Sequence, residues 1–577
     1  MSMLASLVRA HDRNEKAPPY GFSSEKIGFC VVLRTDGSVA EVVDLRDTDK
    51  KRSPRMLLVP QAVKRTAGIA PNFLWDKSAY VLGVTAGEGK RTAEEHARFR
   101  DKHLEWLAEA TDEGLVALRR FLEGWQAEAF VPPLWPDDLR DQNLVFRLAS
   151  EFTFLHDRPA AKALWRQIGA EGASEPQICL VTGEAGPVAR LHPSIKGVWE
   201  AQSSGASLVS FNLDAFTSYG HEQGDNAPVS EAAAFAYTTA LNGFLADKRH
   251  RIQIGDASTV FWADCADAAT AGEAESLFAA YYDKASEDDL AAGKIGGRLE
   301  EIRSGAQLDK FAPELAKGVR FYVLGLAPNA ARLSVRFYWT SDFGTLTANY
   351  QRYLSDTKLT PPPRDGWPPL WRYLVELAVQ GKRENVPPLI AGEWMRAILT
   401  GAPYPLTLLS TTLMRIRADG EVNALRAAIL KSVLIRNFKS KEAPVALDPA
   451  NTNKGYMLGR LFAVYEEVQR GALGGNVNAT IKDKFYGAAS ATPQKVFRTL
   501  DAGSQNHFSK LRKQSPGRAV NLEKLLTSIT DLMDPGNDPI PASLNAAEQA
   551  LFGIGYYHQR SDFFRKHDDK TSEEPVK

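Results

Sequence analysis

The chain has 577 residues, 44% of them hydrophobic, and its 70 Lys+Arg balance 70 Asp+Glu. These values fit a globular protein of two to four domains and argue against a chain held to a polyanion by its overall field, so any such partner must be met by local patches. Cys30, Cys179 and Cys265 form no CxxC pair, which speaks against a disulfide framework or a Cys-rich zinc site.

The N-terminal MSMLASLVRAHDRNEK has too short an apolar run for a signal peptide. No run of 18 apolar residues offers a membrane span, so the expected compartment is the cytoplasm. Residues 1–12 predict a short amphipathic helix through Leu4, Leu7 and Val8. Residues 27–33 read as a strand, Asp36-Gly37 as a hairpin turn and residues 39–45 as the returning strand.

A basic loop follows in residues 57–84, LLVPQAVKRTAGIAPNFLWDKSAYVLGV. Between Arg46 and Lys77 there are eight Lys/Arg against three Asp/Glu. Arg55, Lys64, Arg65 and Lys77 are placed to hold phosphates, and Asn72 has the donor and acceptor to read a base edge. Phe73 and Trp75 are expected mainly in the core.

Residues 91–109 and 112–123 read as helices, with His103 a core-edge residue on the first. From about 140 to 345 the pattern is richer in strands, expected at 146–155, 177–182, 208–211, 259–263, 319–326 and 332–339, with a turn at 327–329. Ser230 is expected to cap a helix, and 267–316 should be largely helical. A Pro-rich stretch, 356–369, reads as a linker. Beyond it helical spacing dominates, with Leu458, Leu461, Phe462, Tyr465 and Val468 on one stripe. The expected fold class is α+β: a mixed N-terminal region with antiparallel sheets over 1–140, a β-rich middle region with a helical insertion over 141–369, and an α-helical bundle over 370–577.

The catalytic signals are weak. GVTAGEGKRT, residues 83–92, misses a phosphate loop twice, with Val84 where Gly is needed and Arg91 where the magnesium-holding hydroxyl belongs. His11-Asp12, His156-Asp157 and His567-Asp568 are the basis of a rival expectation, a metal-dependent nuclease. HExxH, GxSxG and CxxC are absent from the sequence. The bundle carries a cationic signal instead: eight Lys/Arg against two acids from Arg396 to Lys441, and eleven against five from Met457 to Thr530. Arg415, Arg417, Arg426, Lys431, Lys482 and Lys484 are the expected contacts to a single strand.

An ordered series of runs goes beyond such physics: PPYGFSSEKIGF (18–29), RTAGIAPNFLWDKSAYVLG (65–83), LHPSIKGVWEAQSSGASLVSFN (191–212), NAPVSEAAAFAYTTALN (226–242), VLGLAPNAARLSVRFY (323–338), LTGAPYPLTLLSTTLMRIRAD (399–419) and NVNATIKDKFYGAASATPQKVF (476–497). Together they resemble the large subunit of the type I-C CRISPR-Cas surveillance complex, over residues 4–565. The resemblance implies a non-catalytic, cofactor-free subunit that recognises the protospacer-adjacent motif, helps unwind target duplex and stabilises the R-loop. Implied partners are a CRISPR RNA, backbone subunits, an RNA 5′-end-binding subunit, small subunits and a recruited helicase-nuclease. It also implies a small-subunit-like segment from about Met457, a candidate internal start. A purely structural scaffold for RNA and neighbouring subunits is the second rival.

Overall fold

β-Branched and aromatic runs near the N-terminus assemble the first sheet of the computed structural model, which describes residues 2–14, 17–48, 52–63, 65, 68–171, 176–282, 293–474 and 479–565. Strands β1 (Phe22–Ile27) and β4 (Arg55–Pro60) form an antiparallel ribbon. Strands β2 (Phe29–Leu33), β3 (Val39–Asp44), β5 (Asp76–Lys77) and β6 (Asn143–Leu148) form a second sheet in the order β3-β2-β6-β5. The β2–β3 hairpin turns at Gly37, whose φ is 89°, while the Asp36 carboxylate accepts from Ser38 N–H at 2.8 Å, a local bond typical of Asp in turns.

β2 and β6 run parallel, so the sheet is mixed where antiparallel pairing was expected throughout. The cause lies in the sequence. FCVVL is buried at every position, a pattern of strands covered on both faces. The helices Thr92–Trp106 and Glu113–Gly124 fill the connection and place Phe99, Leu115, Leu118 and Phe121 in one core with Phe29, Val31 and Leu33.

The chain divides into two units, Met1–Ser194 with Val209–Leu241, and Ile195–Leu208 with Asn242–Lys577. The break expected near residue 140 is bridged, because β6 completes the first unit's sheet. The expected strand at 146–155 is confined to Asn143–Leu148, and 177–182 shrinks to β7 (Pro176–Ile178), paired with β8 (Ala185–Pro187). Residues 208–211 form no strand.

In the second unit β9 (Arg251–Ile254), β10 (Ala257–Asp264), β11 (Arg320–Asn329) and β12 (Arg332–Asp342) form an antiparallel sheet in the order β12-β11-β10-β9. Pro328 and Asn329 pair with Leu333 and Arg332, so the turn expected at 327–329 falls instead on Ala330, with φ 53°, and Ala331. The Pro-rich stretch is no swinging linker. Thr360 N–H donates to the Val445 carbonyl at 2.7 Å, Tyr557 Oη–H donates to the Pro361 carbonyl at 2.8 Å, and Leu359 is buried.

The helices that follow form the expected bundle. At its centre Lys454–Leu473 packs on Ala546–Asp562. Gly455 and Gly459 on one helix and Gly555 on the other lie so close to the carbonyls of Glu548, Phe552 and Tyr456 that a Cβ would overlap them. The glycines therefore act through approach distance here, as small residues do wherever helix backbones touch. Met457 sits in the second turn of its helix and is buried, downstream of the Asn453 cap whose side chain accepts from Gly455 and Tyr456 N–H.

Candidate nucleic-acid interface

Val63, Arg65 and residues 70–77 of the first unit are organised by a carboxylate that sequence reading passed over. Asp76, at the start of β5, is 1% exposed. Its Oδ2 accepts from Asn72 N–H at 2.9 Å, and its Oδ1 from Lys77 N–H at 2.8 Å. The Arg65 guanidinium pairs with it closely, donates through Nε to the Ala70 carbonyl at 2.7 Å and lies over the Tyr80 ring at 4.0 Å. Burial pushes the Asp76 pKa upward, and Arg65 opposes that shift. The pair ties both ends of the loop to one point.

Asn72 is also internal. It is 5% exposed, and its Oδ1 accepts from Val63 N–H at 2.9 Å. That acceptor shapes the loop, so the side chain expected to face a base edge is engaged with backbone in this conformation. Phe73 and Trp75 go to the core as expected: Phe73 stacks on Trp165 at 5.3 Å between ring centroids, and Trp75 Nε1–H donates to the Pro60 carbonyl at 2.7 Å. Leu74, at φ 61°, donates its N–H to His103 Nε2 at 3.0 Å, while His103 Nδ1 lies 2.8 Å from the Phe99 carbonyl. Nδ1 therefore carries the proton, and burial holds the ring pKa down at about 4. Lys77 and Arg55 are exposed and have no carboxylate partner among the described residues. Lys64 lies outside the described residues.

The bundle sorts its cations the same way. Arg415 and Arg426 are buried and share Asp419, and Arg426 also meets Glu376 at 2.9 Å. Lys431 is 2% exposed. Its Nζ donates to the carbonyls of Ser355 and Asp356 at 3.4 and 3.0 Å, closing the C-terminal turn of the helix Phe343–Thr357. Burial lowers the Lys431 pKa to about 8. These three residues, expected on a strand-binding surface, are internal. Arg417 is exposed and donates to Gln549 Oε1. Lys482 is half-buried and Lys484 exposed, on a helix, Ile481–Ala491, that sequence spacing did not single out.

An open cationic face lies on the helix Pro493–Gln514. Val496, Phe497, Leu500, Phe508 and Leu511 form its buried stripe. Lys495, Arg498, Gln505, Asn506, Ser509, Lys510 and Lys513 are exposed and, at 100° per residue, fall outside that stripe. The helix has one acid, Asp501, and its carboxylate accepts from Tyr465 Oη–H at 3.1 Å. Twenty-two residues span roughly 33 Å, with cations at both ends and amides and hydroxyls between. Sequence reading counted these cations without separating them; the apolar stripe was the signal that would have done so.

The remaining motifs make local pairs where they are described. Lys90 pairs with Glu88 at 3.2 Å, both highly exposed. His11 meets Asp12 at 3.3 Å, and buried His156 lies 3.7 Å from Asp157; His567-Asp568 lies outside the described residues. Among the described residues no three His, Cys, Asp or Glu side chains converge as a metal site, and no helix is long and apolar enough to cross a membrane.

No curated protein matches the chain. A family model described as CRISPR-associated protein (Cas_Csd1) matches residues 5–564, which takes in both units. The chain belongs to the Cas_Csd1 family of CRISPR-associated proteins.

Proposed function

We propose that the chain is the non-catalytic large subunit of a type I-C CRISPR RNA-guided surveillance complex. Its first unit meets target duplex beside the protospacer-adjacent motif through the loop braced by Asp76, with Lys77 and Arg55 on flanking phosphates and Asn72 setting the loop's shape. Its bundle holds the displaced strand. Family membership over nearly the whole chain supports the CRISPR setting. The observation that carries the strand-holding role is the acid-poor outer face of Pro493–Gln514, which matches a single-stranded backbone without demanding sequence. Exchanging one duplex for another is nearly balanced in energy, so a few phosphate contacts decide whether the target opens. In this reading the CRISPR RNA, the backbone and small subunits and the helicase-nuclease are the chain's partners.

The experiment is a reconstituted complex with CRISPR RNA and a fluorescent target duplex. Charge reversal at Lys495, Arg498, Lys510 and Lys513 should slow opening of all targets alike. It should also flatten the salt dependence of binding, by up to about 0.7 per lost contact for a single strand. Opening and salt slope that match the wild type would refute the assignment of this face. Failure of the chain to enter any RNA-containing complex would refute the reading as a whole.

A further inference from the structure

Between Lys196 and Lys248 the chain has no lysine or arginine and six carboxylates. Within the first unit, residues 212–222 of this stretch are exposed almost throughout and yet fixed. His221 N–H donates to the Ser218 carbonyl at 2.9 Å, closing a two-residue turn at Tyr219 and Gly220, whose φ values are 52° and 77°. Positive φ at both positions is type I′ geometry, which suits Asn or Gly and strains a bulky aromatic.

Asn226 clamps the turn. Its Oδ1 accepts from Ser218 N–H at 2.9 Å, and its Nδ2 donates to the carbonyls of His221 and Gln223 at 3.2 and 3.0 Å. Gly224 N–H donates to the Arg190 carbonyl at 3.1 Å, and a Cβ at Gly224 would overlap the Ala189 oxygen. The result of this bracing is a Tyr219 side chain 98% exposed, with Leu213 on the same loop 55% exposed. Strain of this kind persists where the surroundings over-determine it, and it gathers at sites of use.

A rigid tyrosine supplies contact area at small entropic cost and is a frequent interface anchor. The charge around it selects the partner. Asp214, Glu222 and Asp225 are exposed on the loop, against the single cation Arg190 on the segment beside it. That surround repels a phosphate backbone and attracts a basic protein surface. We infer that the Tyr219 turn is a protein-docking anchor, seated in an apolar pocket rimmed by Lys and Arg on another protein subunit. The inference takes the existence of a complex from the proposed function and adds the contact.

A photo-crosslinking benzoylphenylalanine in place of Tyr219, in the full chain within the reconstituted RNA- and target-bound complex, tests it. The expected adduct is with one protein subunit, at a Lys/Arg-bearing surface. Tyr219→Asn should weaken retention of that subunit at least tenfold while the chain's Tm holds or rises, because Asn suits the turn. Asp214→Lys with Glu222→Lys should weaken retention similarly, and Tyr219→Phe should retain most of it. A nucleic-acid adduct, or normal assembly of Tyr219→Asn, overturns the inference and leaves the proposed function standing. Failure of the wild-type chain to enter any complex overturns both.

Discussion

Replacing Asp76 with Asn tests whether one carboxylate organises the candidate duplex-contacting loop. The native side chain, 1% exposed, serves Asn72 N–H, Lys77 N–H and the Arg65 guanidinium. An amide keeps one acceptor oxygen and turns an NH2 toward the other donors. One buried N–H left without an acceptor costs about 1–3 kcal/mol. The lost partner of Arg65 adds less, on the order of 1 kcal/mol, because that side chain is 26% exposed and water can take over. Burial of the native charge opposes these terms, since it already pushes the Asp76 pKa up. The net is about 2–3 kcal/mol, confined to the loop. The effect is local to the loop, so the assay is native-state amide exchange of the full chain, which reads local opening. The Asn72 and Lys77 amides should exchange on the order of 10²-fold faster in Asp76→Asn, at 1.4 kcal/mol per tenfold, while the bundle amides do not change. Exchange at Asn72 within threefold of the wild type would refute the reasoning.

Gly459→Ala should destabilise the bundle by more than about 3 kcal/mol, the range of severe overpacking, because the new Cβ meets the Phe552 carbonyl. Gly503→Ala, in open space on a helix, should instead stabilise it by up to about 1 kcal/mol, and urea midpoints compare the two. His103 makes the first unit acid-sensitive: its folded pKa of about 4 lies below the ordinary 6.5, so its contribution is full above pH 6.5 and is lost as pH falls toward 4. The loss is at most about 3 kcal/mol. His156 and His192 in the same unit, and His558 in the second, are likewise held at about 4 by burial. Limited proteolysis near pH 5 should therefore open the first unit before the second, and equal cleavage of both would contradict this.

Much of the architecture was legible because it rests on local signals. The Asp36-Gly37 hairpin, the helices after residue 388 and the stripe through Leu458, Phe462 and Tyr465 are set by turn chemistry and periodicity. Pairing between distant segments was not legible. β1 meets β4 and β2 meets β6 through partners far apart in sequence, and no local pattern names them. The loop's chemistry failed for a related reason. Asp76 looked like one acid among cations, but its 1% exposure comes from the sheet it enters. The same fold draws Asn72 inward, pairs the exposed Arg65 with Asp76 and leaves Lys77 and Arg55 outside.

The bundle shows when a cation count misleads. In Ala424–Phe438 every residue from Leu425 to Leu434 is buried, Arg426 and Lys431 included. A helix apolar all round is a core helix, so its cations must find internal partners. Arg426 finds Asp419 and Glu376 and also donates to the Glu421 carbonyl at 3.0 Å. Removing one partner from such a set leaves carboxylates poorly compensated, and truncation of buried pairs costs about 3–5 kcal/mol. Asp419 and Glu376 remain 27% and 19% exposed, which brings the expected cost for Arg426→Ala to about 2–3 kcal/mol. Lys510→Glu, on the open face of Pro493–Gln514, should leave stability within about 0.5 kcal/mol and act on strand binding alone. Thermal melts of the full chain and opening assays of the complex separate the two. An Arg426→Ala protein that melts like the wild type but no longer holds the strand would show that Arg426 faces nucleic acid after all, and that burial in the free chain is no guide to the surface used in the complex.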